Sequence, residues 1–343
     1  MPTTQVDAVV VTGSEARRTL AELAVVRRSS VVESRHFGSL VAIAGDGSIA
    51  ARLGDADASV LPRSTVKPLQ ALACLVAGAE LSGPELAIAG GSHTGHDSHV
   101  EVVRAMLQRV GLDESFLGCP ADWPEDEGTR ERLIATGSPR SRIRMNCSGK
   151  HAAMLAACVV NGWDVSTYLD PANPVQQVVR ATFERLTGPV EHVAVDGCGA
   201  PLFSTRLEGM ARAFRALVLA PNGTPERAVA DAMRSNPFFV GGHPHPNSDA
   251  MLRVHGLLAK GGAEGVIAAA AATGETVAMK IIDGNPRATT LVALTVLGAL
   301  GVDVSRASAL MELPVLGGGF QVGEITVGRD LESWLDERRA VAR

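Results

Sequence analysis

An α+β fold, a central sheet flanked by helices, is the architecture this sequence predicts. Three observations carry it. Strand-like runs lie toward both ends of the chain with helical periodicity between them. Aromatic residues make up only 3% beside 36 glycines, so the core must be Ala, Val and Leu packed closely between elements, which suits helices laid on a sheet. No internal repeat or low-complexity linker divides the 343 residues, of which 46% are apolar and 20% charged, a profile that buries a full core. The reading is an N-terminal extension over residues 1–28 followed by one domain over residues 29–343, with a two-lobed arrangement as the alternative.

The elements follow in order. Apolar runs over residues 38–44 and 48–53 flank Gly45-Asp46-Gly47, a hairpin signature. Helical spacing appears over 68–77, with Pro68 suited to a first turn, and again over 100–110. Residues 117–142 turn polar and proline-bearing and read as a surface connection. Helices are expected over 150–160, 174–186 and 205–219, with a strand over 192–196 between the last two. Residues 241–247, GGHPHPN, read as a loop. A strand over 276–282, a turn at 283–285, a helix beginning at Pro286 behind an Asn285 cap, and a strand over 320–327 complete the chain.

Several function classes drop out. The charge sum is 32 minus 37, or −5, against a general nucleic-acid partner. Apolar runs fall well short of the ~20 residues of a membrane span. The five cysteines are odd in number and scattered, and MPTTQVDAVVVTG has no basic region before its apolar run, so a reducing cytoplasm is the expected setting.

Chemistry concentrates in a few segments. In Arg63-Ser64-Thr65-Val66-Lys67, which opens a helix, the Ser64 hydroxyl and Lys67 amine share a face at i and i+3, so a neutral Lys67 could take the hydroxyl proton. Lowering its pKa would need burial or a second cation. The plain alternative is a capping Ser64 and a solvated Lys67. In residues 90–99, GGSHTGHDSH, glycines argue for a loop, and Ser92 is a better candidate for chemistry than the three histidines, which read as a solvated turn. Asn146-Cys147-Ser148-Gly149-Lys150-His151 misses the phosphate-loop pattern, and Asp196-Gly197-Cys198-Gly199 misses the dinucleotide one. Their two cysteines could ligate a soft metal or be small buried thiols. Lys280, in the strand-like run TVAMKII, needs a partner or an exit to solvent.

Taken in order, RSTVKP, GGSHTGH, MNCSGKHAAM, VDGCGAP and MKIIDG resemble the Rhizobium etli type of L-asparaginase, the serine-lysine class, from about Leu23 to the C-terminus. The resemblance implies a β-lactamase/glutaminase-like fold, a homodimer, and hydrolysis of L-asparagine to L-aspartate and ammonia. It places one Ser-Lys pair on Ser64 and Lys67 and a second on Ser92 and Lys280. It places substrate-pocket positions on Arg63, His151 and Asp196, and zinc ligands on Cys147, Lys150 and Cys198. Two places depart from the pattern: His96 stands where an acidic residue is usual, and GGHPHPNSDAM replaces an arginine-bearing stretch. In the expected mechanism Ser64 attacks the side-chain amide, Lys67 takes its proton, Ser92 relays protons, and Lys280 orients Ser92 and keeps Lys67 neutral. The rivals are a β-lactamase, penicillin-binding or glutaminase-like hydrolase, and a non-catalytic zinc-binding module. For the first, Lys260-Gly261-Gly262 lacks the expected threonine.

Overall fold

The computed structural model describes residues 20–341. Its centre is an eight-stranded, wholly antiparallel sheet. The strands are β1 (Ala21–Arg28), β2 (Val31–Ile43), β3 (Ile49–Leu53), β4 (Leu258–Gly262), β5 (Val266–Ala270), β6 (Thr276–Ile281), β7 (Leu313–Gly317) and β8 (Phe320–Val327). They run in the order β7-β8-β1-β2-β6-β5-β4, and β3 pairs with the far half of β2 beyond β1. The two chain ends therefore meet inside one sheet, Ala24 opposite Val327. All five residues of β5 are buried, so both faces of the sheet are covered. Helices Leu207–Leu219 and Thr289–Ala299 pack on β5 and β6, and Arg329–Val341 packs on β1 and β3. This is the expected α+β sheet flanked by helices. No helix among the described residues is long and apolar enough to cross a membrane.

The expected hairpin is β2–β3, with Ile43 opposite Ile49. The expected extension needs correction. Residues 1–19 lie outside the described residues, whereas Ala21–Arg28 is an internal strand of the sheet. Its Leu23–Val26 core is apolar on consecutive positions because both faces are covered, so the alternation of a one-sided strand is absent. The 117–142 connection carries a largely exposed helix, Glu127–Ala135, capped by Asp126 through Thr129 N–H. Residues 241–247 are not one loop: they join helix Pro237–Gly241 to helix Pro246–Arg253. Val193–Val195 pairs only with Pro201–Phe203, apart from the main sheet.

A layer of mutually packed helices, Lys67–Val76, Gly83–Ala89, Ser148–Asn161, Pro174–Thr187 and Pro225–Ser235, lies beside the sheet. Helix Lys67–Val76 is buried over its first eight residues and is entered by a 3-10 turn, Arg63–Val66, that abuts β4 and β5. Gly262 permits the approach: a Cβ there would stand 2.8 Å from Thr65 Oγ1 and 2.9 Å from the Pro62 carbonyl oxygen. The junction between sheet and helical layer is thus where Ser64 sits.

Candidate functional site

Ser64 occupies the second position of the 3-10 turn, and side chains at i and i+3 eclipse in such a turn, so Lys67 remains on its face. Lys67 is fully buried, and its Nζ donates to Ser92 Oγ at 2.9 Å and to the Asn146 carbonyl oxygen at 3.3 Å. Ser92 is held from behind, its N–H donating to the Val240 carbonyl at 2.7 Å. Gly91 makes that contact possible, since a Cβ there would lie 2.8 Å from the Phe239 and Val240 carbonyl oxygens.

The second lysine on Ser92 is Lys260 of β4. Its Nζ donates to Ser92 Oγ at 3.0 Å and to its neighbour Gly261 O at 2.5 Å. Burial, with the Lys67 charge adding to it, pushes Lys260 down to about 7. Ser64, Ser92, Asn146 and Lys260 line one cavity of about 610 Å³. Lys280, expected here, is elsewhere. Its Nζ donates to the carbonyls of Glu264, at 2.7 Å, and of Ile281, and it lines a separate cavity with Ser39, Ser59 and Arg63. The pairing of Ser92 with Lys280 is therefore corrected to Lys260. The signal that could have found it is the Lys-Gly-Gly sequence, a lysine on a strand followed by glycines that admit a close neighbour.

Cys147, Lys150 and Cys198 come together in the interior. Lys150 Nζ donates to Cys198 Sγ at 3.1 Å, and all three residues are buried. A hydrogen bond from Cys198, with Lys67 and Lys150 nearby, holds Cys147 well below the usual thiol range, and the same bond and burial push Cys198 up. Against its burial, the two sulfurs and Asp196 push Lys150 up. Two converging thiols suit a soft divalent ion such as zinc, and Lys150 could join them only as a neutral amine, after losing the proton that its surroundings favour. Among the described residues no group of three or more His, Cys, Asp or Glu side chains forms a metal site.

Asp196 touches both this cluster and the Ser64 turn. Its Oδ1 accepts from Arg63 Nε at 2.8 Å, and its Oδ2 accepts from Cys198 Sγ at 3.7 Å. Although burial works the other way, Lys150 and Arg63 hold its carboxyl below the usual range. Arg63 adopts a left-handed backbone, φ 50°, at the entry to the nucleophile turn, a strained conformation for a side chain of this size. His151 is buried, its Nδ1 hydrogen-bonded to the Tyr168 hydroxyl at 2.6 Å, and that oxygen also accepts from Gly118 N–H. Nε2 of His151 has no hydrogen-bond partner.

The histidine-rich segment is structural rather than a solvated turn. Gly95 N–H donates to His93 Nδ1, leaving His93 Nε2–H to donate to Ser148 Oγ at 2.9 Å. His99 Nε2 donates to the Phe238 carbonyl at 2.9 Å and its ring stacks on Phe238. His96 caps the Asp97–Arg109 helix by accepting from Ser98 N–H, so this histidine has a local role.

Among solved structures the chain is similar to a β-lactamase from Mycobacterium bovis, at 14% identity and TM-score 0.44 over 77% of this chain and 95% of that one. It is also similar to a putative β-lactamase from Bacteroides dorei, at 14% identity and TM-score 0.41 over 76% and 93%. Mglu in its native form matches at 13% identity and TM-score 0.41 over 74% of this chain and 61% of that one. No curated protein matches the chain. The model of the family described as L-asparaginase II matches residues 24–327, a span that runs from the first strand of the sheet to the last and includes every site residue above. The chain belongs to the L-asparaginase II family.

Proposed function

We propose that the protein hydrolyses L-asparagine to L-aspartate and ammonia through an acyl-enzyme on Ser64. Family membership makes it an amidohydrolase. The observation that supports the finer reading is Ser92 Oγ, hydrogen-bonded at once by Lys67 and Lys260 in the cavity that Ser64 lines. With Lys260 lowered to about 7, an appreciable share of it is neutral near pH 7 and can accept a proton. Ser64 Oγ attacks the amide carbon, its proton passes by way of Ser92 to Lys260, and the hydrogen bond from Lys67 holds Ser92 in place. The same relay returns the proton to the leaving nitrogen, and water releases aspartate by the reverse path. Lys260 takes the seat beside Ser92 that the resemblance assigned to Lys280, and with it the proton-accepting part that the expected mechanism gave to Lys67.

Zinc would be held by Cys147, Lys150 and Cys198. When bound it supplies a fixed positive charge that ties the Cys147 and Cys198 turns together. The chain's own residues do the rest: Arg63 holds Asp196, and His151 keeps its Nε2 unpartnered beside Lys150. A homodimer in a reducing cytoplasm completes the proposal, supported by the family resemblance and by five cysteines that are all unpaired thiols.

Ammonia release from asparagine and glutamine by the purified protein tests the substrate, and nitrocefin tests the β-lactamase rival. Ser64→Ala should lower asparagine turnover by about 10³-fold or more in a folded protein. Unchanged turnover, or an acyl adduct mapped to Ser92, would overturn the assignment of the nucleophile. Absence of turnover in a protein that retains stoichiometric zinc would favour the zinc-binding module.

A further inference from the structure

The cavity that opens onto Ser64 and Ser92 also has Arg287 in its wall. Arg287 is exposed, yet its guanidinium is oriented by a short chain of contacts. Its Nε donates to His36 Nε2 at 2.8 Å and its Nη2 donates to Ser34 Oγ at 2.8 Å. His36, 2% exposed, must therefore carry its proton on Nδ1, which donates to Asp283 Oδ2 at 2.6 Å. His36 and Ser34 lie on β2, and Asp283 lies in the turn after β6, so rigid elements fix the arginine. Among the described residues no carboxylate is in direct contact with the guanidinium, Asp283 meeting it through His36, and Nη1 makes no hydrogen bond. Arg63, the other arginine near the nucleophile, is already paired with Asp196 at 2.8 Å.

We infer that Arg287 is the group that binds the carboxylate of the substrate in this cavity, and that His36 is its positioning residue. The inference rests on the amidase reading above. A pre-oriented guanidinium with an unused donor is matched to a carboxylate, and holding it in advance lowers the cost of binding. It would select amides that carry an acid group over plain amides.

Steady-state kinetics on asparagine and on 3-aminopropanamide, the same amide without the carboxylate, test this. In the wild type, losing the carboxylate should cost about 10- to 100-fold in kcat/KM, the range of one charge-assisted contact. Arg287→Met should raise KM for asparagine by the same factor, leave kcat within about threefold, and leave 3-aminopropanamide unaffected, so the preference collapses. His36→Gln should raise KM for asparagine less than Arg287→Met, and Arg287→Lys should recover part of the loss. An Arg287→Met enzyme that keeps the wild-type preference overturns the inference and leaves the asparaginase reading standing. If the wild type releases no ammonia, that reading falls, and calorimetry with L-aspartate still decides the anchor: weakened binding in Arg287→Met or Arg287→Lys supports it, and equal binding in all three proteins overturns it.

Discussion

Lys260 and Lys280 look alike in the sequence, and the sheet even points them to the same side. Lys280 pairs with Val266 and Lys260 pairs with Ala268. Paired residues of antiparallel strands share a face, as do residues two apart on one strand, so both lysines leave the sheet from one face. Their destinations differ because of what packs above them. Over β4 lies the 3-10 turn bearing Ser64, pressed in by Gly262, and Lys260 is sealed beneath it with its amine on Ser92. Lys280 is half-buried, and its amine is satisfied by two backbone carbonyls. Face is a property of register, whereas chemistry depends on which element covers the strand.

Substitution gives the sharpest way to break this comparison. Lys260→Met should lower kcat on asparagine by about 10²- to 10⁴-fold, the range for loss of a general base. Lys280→Met should leave kcat within about threefold. Equal losses at the two positions would erase the distinction drawn from Ser92.

The pH profile is the next effect in size. The neutral amine of Lys260 is the working form and it loses its proton at about 7, so kcat/KM should rise through neutral pH and level off above it. The midpoint should be the same in Lys280→Met. A wild-type rate that is flat from pH 5 to pH 9 would count against Lys260 as the base.

Stability should carry the same signature. Lys260 binds its proton less tightly when folded than when unfolded, so between about 7 and the ordinary lysine value of 10.5 the unfolded chain holds more protons. Folding stability should therefore climb with pH across that window and lose the contribution below it. Denaturant titrations of Lys260→Met should show a shallower climb than the wild type, and an identical climb would mean that the buried amine is not the cause. Burial also lowers Lys280, but its partial exposure makes the corresponding change in Lys280→Met smaller.

The smallest effect is expected at the thiol cluster, which borders the site through Asp196 and through Cys147 beside Asn146 and Lys67. Cys198→Ser should raise KM for asparagine by about tenfold with kcat within about threefold, because it loosens a second-layer support rather than the relay. Elemental analysis of the same protein should show its zinc content falling from about one per chain. A collapse of kcat at constant KM would move the cluster into the chemical step.

Much of the molecule was legible before any coordinates. The hairpin around Gly45-Asp46-Gly47, the helices after Lys67 and Pro174, and the last strand over Phe320–Val327 each follow from local rules of period, proline placement and turn chemistry. So does the placing of Ser64 and Lys67 at the entry to the first of those helices, although the hydrogen bonds of Lys67 Nζ run to Ser92 and Asn146. The strands Ala21–Arg28 and Val266–Ala270 were not legible as such, since covering both faces of a strand removes the alternation by which a strand is recognised.

By itself the sequence determined the class of the fold, the three-residue spacing of Ser64 and Lys67 and the identity of the thiols, all of which depend on neighbours a few residues away or on residue type alone. The tertiary structure alone decided that Lys260, 168 residues from Ser92, completes the hydrogen-bonded centre, that Lys280 does not, and that His36 turns Arg287 into the cavity. The physical reason is that a long, flexible lysine or arginine takes its role from the buried partner its charged end can reach, and that partner is set by the packing of helices on a sheet rather than by position along the chain.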